Sequence, residues 1–117
     1  SMRSFYPVDP AARESVSAFV RLQLATLLLF LPGWEFLHRG FMLHGLRGTT
    51  GEWVAVCAQI IPSALWHIGM PVAVAFAALP AGILFALITL RTRSIYWALL
   101  LHFVVRLASD LFTALAT

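Results

Sequence analysis

Glu35, His67 and His102 are one carboxylate and two imidazoles set in otherwise apolar sequence, and together they hold the groups that peptide-bond hydrolysis requires. A carboxylate drawn partly out of water binds its proton more tightly and can act as general base toward a water molecule. An imidazole nearby can donate a hydrogen bond to a developing oxyanion or shuttle the proton. The same three groups are also suitable zinc ligands, leaving one position open for a metal-activated water. Spacing does not separate these two chemistries.

Each candidate has a plainer reading beside the chemical one. Arg39 lies four residues after Glu35, on the same helix face, where the two can form a structural ion pair. His67 taken alone suits a hydrogen-bonded core histidine. His102, Arg106 and Asp110 recur every four residues and form one polar stripe on an apolar helix, a stripe that must face the bundle interior or a cavity. Arg106 and Asp110 can equally serve as a pair that joins helices.

The elements that must position these groups are membrane helices. Hydrophobic residues make up 61% of the 117 and charged ones 11%, against about 45–50% and about 25% in soluble proteins. Twenty consecutive residues, Pro71 to Leu90, carry no charge, and about 20 helical residues cross the hydrocarbon core. An ionisable group at that depth costs at least about 2.5–3.5 kcal/mol, which makes each one a candidate for function.

The expected architecture is all-α: a polytopic transmembrane bundle of about five helical segments, with residues 1–15 as a polar, interfacial segment and residues 16–117 as a single transmembrane helical domain. The first segment runs from about Val16 to Leu31 and is expected to stop at Pro32-Gly33. The second, Trp34 to Leu46, carries Glu35 and is short enough to be a half-span or the continuation of a broken helix. Thr49-Thr50-Gly51-Glu52 has capping-box spacing and starts a third, to Ile68, bent near Pro62. Pro71 opens the fourth segment. Ser94 caps the fifth, Ile95 to about Leu115.

Arg3, Asp9, Arg13, Glu14 and two prolines rule out a cleavable signal peptide at the start. All eight basic residues are arginine and are scattered singly, which argues against nucleic acid as a partner. The expected partners are membrane lipid and a membrane-associated peptide or protein. If all five segments cross, Arg3, Arg13, Arg47, Arg91 and Arg93 fall on one side, the cytoplasmic one. Compact hairpins and small size point to a prokaryotic cytoplasmic (inner) membrane. The single cysteine, Cys57, has no partner for an intrachain disulfide.

Three stretches in order resemble the motifs of the CAAX protease and bacteriocin-processing (CPBP, or Abi) family of intramembrane glutamic endopeptidases. Trp34-Glu35-Phe36-Leu37-His38-Arg39-Gly40 is similar to its first motif in a Trp-Glu-Phe variant with one glutamate. Ser63-Ala64-Leu65-Trp66-His67 matches its FxxxH motif, with serine in place of phenylalanine. The region from Arg91 to His102 resembles the third. The resemblance covers about residue 20 to the end. It implies an intramembrane endopeptidase in which Glu35 activates water, His67 and His102 assist, and Arg39 holds the glutamate, with no cofactor preferred over zinc bound by Glu35, His67 and His102. Arg106 stands where the family has asparagine. Its extra positive charge would weaken Glu35 as a base, unless Asp110, one turn on, neutralises it. The alternative is a non-catalytic CPBP-like scaffold or immunity protein that binds a membrane peptide.

Overall fold

The computed structural model describes residues 2–116, and every long element in it is a helix. Four carry the architecture: α1 (Val16–Thr50), α2 (Glu52–Trp66), α3 (Val72–Thr92) and α4 (Tyr96–Leu115). A helical turn at Met2–Phe5 and a 3-10 turn at Pro10–Arg13 precede them. Helices α1, α3 and α4 are long and apolar enough to span a membrane. At 15 residues, α2 falls short of the about 20 needed.

The interruption expected at Pro32-Gly33 is absent: α1 passes through it without a break. Its turns widen to π geometry at Thr26–Phe30, immediately before the proline, and again at Phe36–Leu43, immediately after Glu35. Leu31 N–H reaches back five residues to the Thr26 carbonyl. A proline in a regular helix lacks one N–H and crowds the carbonyl four residues back, and a widened turn relieves both problems without ending the helix. Glu35 is therefore carried by a full, locally unwound span, and the first two expected segments are one.

That fusion changes the distribution of charge. Arg47, Arg91 and Arg93 sit at one end of the bundle, whereas Arg3 and Arg13 precede α1 at the other, because one crossing fewer separates them than five independent segments would give. The expected capping box does not form either. Helix α1 continues to Thr50, so the Thr49 and Thr50 hydroxyls donate to the Leu46 carbonyl of their own helix at 3.1 and 2.9 Å. Gly51, at φ +86°, makes the turn, a backbone shape that favours glycine. Glu52 instead faces Arg47 at 3.8 Å. Ser94 behaves as expected, its Oγ accepting from Tyr96 N–H at 3.2 Å. Pro62 and Pro80 lie inside α2 and α3.

Packing is inverted relative to a water-soluble bundle. Leu28, Leu29, Phe36, Ile61, Phe76 and Phe112 are exposed, while Glu35, Arg39, Gln59, Thr89 and Asp110 are fully buried. In lipid the outer face needs no polar cover and polar groups must find partners inside. An apolar cluster of Leu43, Ala55, Val56, Ile60, Ala86 and Leu90 locks α1, α2 and α3 together at the end that carries Arg47. Next to it Gln59 donates to the Gly82 carbonyl at 3.2 Å, joining α2 to α3.

Close approach of α2 and α3 depends on Gly82, where an added Cβ would lie 3.2 Å from Ile60 Cγ1. Gly82→Leu should overpack this contact at a cost of about 1–3 kcal/mol, lowering the melting temperature in detergent by roughly 5 °C or more. Gly45→Leu, where an added Cβ meets nothing within 4 Å, should change it little. Equal effects of the two would show that the α2–α3 approach is not limiting.

Candidate active site

Glu35 ends the Leu31–Glu35 stretch of α1, the part of that helix that packs on α4, and its carboxylate lies inside the bundle. Glu35 is completely buried, and His102 from α4 donates through Nδ1 to its Oε1 at 2.6 Å. Arg39, one helical turn along α1, donates to the same oxygen at 3.3 Å. Among the described residues the second carboxylate oxygen, Oε2, has no hydrogen-bond partner, nor does Arg39 Nε. Hydrogen bonds from two sides supply the partners that a carboxylate buried in an apolar bundle needs. The expected Glu35–Arg39 pair thus forms, but its partner across the bundle is His102.

Phe85 of α3 backs both assistants. Its ring stacks on that of His102 at 5.2 Å between centroids and lies beneath the Arg39 guanidinium at 5.3 Å. One aromatic ring therefore packs against both an imidazole and a cation, the latter through the ring quadrupole.

A cavity of about 150 Å³ opens beside this group, room for several waters. Arg39, Ser63, His67, His102, Arg106 and Tyr6 form its polar lining; Trp34, Trp66, Phe85 and Ala77, Ala78 and Ala81 form its apolar one. His102 is the member of the Glu35–His102 pair that lines the cavity, with its side chain 25% exposed. His67 ends α2 and faces the same cavity. Its Nδ1–H donates to the Ser63 carbonyl at 2.6 Å. A carbonyl only accepts, so this bond assigns the ring proton to Nδ1 and leaves the neutral ring's Nε2 as an acceptor.

Glu35 and His102 thus converge, and His67 shares their cavity without bonding to either among the described residues. Nor, among those residues, do any three His, Cys, Asp or Glu side chains group as a metal-ligand set. His38, although buried, takes no part in the cavity wall: its Nδ1–H donates to the Trp34 carbonyl at 2.9 Å and its ring packs on Trp34 at 4.2 Å.

Arg106 lines the cavity one turn beyond His102, and Asp110 does neutralise it: Arg106 Nε donates to Asp110 Oδ2 at 3.2 Å. Gln23 of α1 donates to the same oxygen at 2.8 Å. On its other side the guanidinium rests on the Tyr6 ring, 4.9 Å from its centroid. Gln23, Tyr6 and Phe85 all shape the site without being singled out by the sequence. For Gln23 a signal was present, since an amide inside an apolar span needs a partner just as a charge does. For Tyr6 and Phe85 none was, because one aromatic among 15 has no distinguishing pattern.

Asp110→Leu should leave the Arg106 charge unpaired, a loss of about 3–5 kcal/mol for a broken buried pair, whereas Gln23→Leu removes one neutral donor worth about 1 kcal/mol. Thermal unfolding in detergent should rank them in that order. The double variant Arg106→Leu, Asp110→Leu should recover much of the loss; failure to recover would mean that Asp110 stabilises the fold by some other contact.

No curated protein and no solved structure is similar enough to this chain to be matched. Residues 17–108 match a family described as type II CAAX prenyl endopeptidase Rce1-like. That stretch contains the Glu35–Arg39–His102 centre, His67 and Arg106, and it covers most of the chain. The chain belongs to the Rce1-like type II CAAX prenyl endopeptidase family, an integral-membrane protease family of the CPBP type.

Proposed function

We propose that this protein is an intramembrane endopeptidase that hydrolyses a peptide bond of a membrane-associated protein or peptide, with the Glu35–His102 pair activating the attacking water. The observation that carries this reading is the 2.6 Å bond between a fully buried carboxylate and an imidazole that lines a cavity. The pair takes one proton from water as the water oxygen bonds to the scissile carbonyl carbon. As the C–N bond breaks, the pair returns that proton to the departing amine nitrogen. Glu35 supplies the negative charge that makes the pair basic. Glu35 itself does not line the cavity, so water meets the pair at the His102 ring.

Positive groups then receive the oxyanion that forms on the carbonyl. Arg106 lines the cavity and, with Asp110 beside it, adds donors without adding net charge. His67 assists at the earlier step: with Nδ1–H bound to the Ser63 carbonyl, its Nε2 faces the cavity as an acceptor for the attacking water. This balance answers the objection raised by an arginine in the family's asparagine position. The reading includes a metal-free site, since Glu35 and His102 bond to each other and Arg39 sets a positive charge 3.3 Å from the carboxylate, which disfavours a divalent cation there. A prokaryotic inner membrane is the expected setting.

Glu35→Gln keeps the shape and removes the base, so cleavage of a prenylated CAAX peptide in nanodiscs should fall by about 10³-fold or more, as for loss of a group acting in the transition state. His102→Gln should fall comparably if the ring handles the proton, and by only about tenfold if it merely orients Glu35. A Glu35→Gln protein that stays folded and cleaves normally ends the peptidase reading in favour of a peptide-binding scaffold. Elemental analysis of purified protein should find substoichiometric zinc and chelators should leave cleavage unchanged; one zinc per chain lost together with activity would replace the glutamic mechanism by a metal one.

A further inference from the structure

Arg106 is held by groups that the family match does not include. Tyr6 and Asp110 both lie outside the matched residues 17–108. Tyr6 belongs to the segment before α1, which folds back toward the half of α4 that carries Arg106. The segment has its own internal ties. Asp9 accepts from Ala11 N–H at 3.0 Å, the Arg13 side chain donates to the Tyr6 carbonyl, and Ser15 accepts from Ala18 N–H at 3.4 Å at the start of α1. Tyr6 is the most deeply buried large side chain of this segment, 5% exposed, and it lines the same cavity as His102 and Arg106.

We propose that Tyr6 is a positioning residue for the active site: its ring forms one wall against the Arg106 guanidinium, so that Asp110 on one side and Tyr6 on the other hold that guanidinium toward the cavity. The proposal rests on the peptidase reading for its catalytic consequence, but not for its geometry. Asp110 engages Nε of Arg106 at 3.2 Å, which fixes one edge of the planar group. An arginine tied at one edge still pivots about that bond. A flat ring 4.9 Å from Cζ removes the remaining swing, and cation–π attraction keeps the planes together. Burial raises the Tyr6 phenol above its ordinary pKa, which keeps the ring neutral beside Asp110. An asparagine has a short side chain and needs no such wall. An arginine in the same place is long and mobile, and it becomes a defined donor only when its rotamers are restricted. Through Tyr6 the segment preceding α1 thus helps to position the active site.

The test uses the full chain in detergent or nanodiscs with Tyr6→Ala, Tyr6→Phe and Arg106→Asn, alone and combined. Two readouts are taken: the rate at which phenylglyoxal modifies Arg106, followed by peptide mass spectrometry, and turnover of the prenylated CAAX peptide. Tyr6→Ala should raise Arg106 modification about tenfold and lower kcat about tenfold with little change in KM, and Tyr6→Phe, which keeps the ring, should restore both. In the Arg106→Asn background, Tyr6→Ala should cost no further turnover. An equal loss of turnover in both backgrounds would reduce Tyr6 to a structural anchor, and unchanged Arg106 modification in Tyr6→Ala would overturn the proposal outright. If the unsubstituted chain does not cleave the peptide, the peptidase reading is what has failed, and the modification rates still decide whether Tyr6 holds Arg106.

Discussion

A carboxylate with no exposed surface, inside a bundle whose outer face is built for lipid, is the constraint around which the rest of this protein is arranged. Glu35 finds its partners there because His102 and Arg39 reach the same oxygen from different directions. Phe85 immobilises both of those groups with one ring. A second, smaller polar centre, with Asp110 accepting from Arg106 and Gln23, follows the same rule farther along α4. In each centre a buried acid collects donors from α1 and α4, so these two helices are joined by side-chain bonds beside the cavity.

The widened turns of α1 make that arrangement possible. A regular helix through Pro32 would either break or kink sharply, and a break would leave unpaired backbone groups in the apolar layer. The two π stretches keep the helix continuous and change the face on which later residues emerge. Glu35, between them, is directed inward beside His102, while Leu28, Leu29 and Phe36 on either side remain on the lipid face. A deviation from regular helix around Glu35 therefore reconciles two demands, an unbroken span and a polar group aimed across it.

Arginine at position 106 illustrates how a site accommodates a substitution through its neighbours. A guanidinium placed in the cavity wall without compensation would add a second cation, beside Arg39, near the Glu35 carboxylate. Asp110 removes most of that effect at 3.2 Å, and Tyr6 supplies a surface for the flat cation to lie on. The net charge added beside Glu35 and His102 is thereby kept small. The donors of the arginine remain.

Composition and spacing alone determined the membrane class, the transmembrane segment now seen as α3, and six polar residues of which five lie in or against one cavity wall, with Asp110 directly behind it. The reason is that in lipid each ionisable group carries so large a penalty that its presence is informative by itself. Three features were decided only by tertiary structure. Whether Pro32-Gly33 ends a helix depends on whether a wide turn can absorb the missing donor, and local pattern does not encode that. Which partner Glu35 takes depends on the register of α1 against α4, 67 residues apart in sequence. Tyr6 and Gln23 acquire their roles only when distant segments meet, because an aromatic ring or an amide has the same one-dimensional signature wherever it lies. The chain announces which groups need partners, and packing chooses who those partners are.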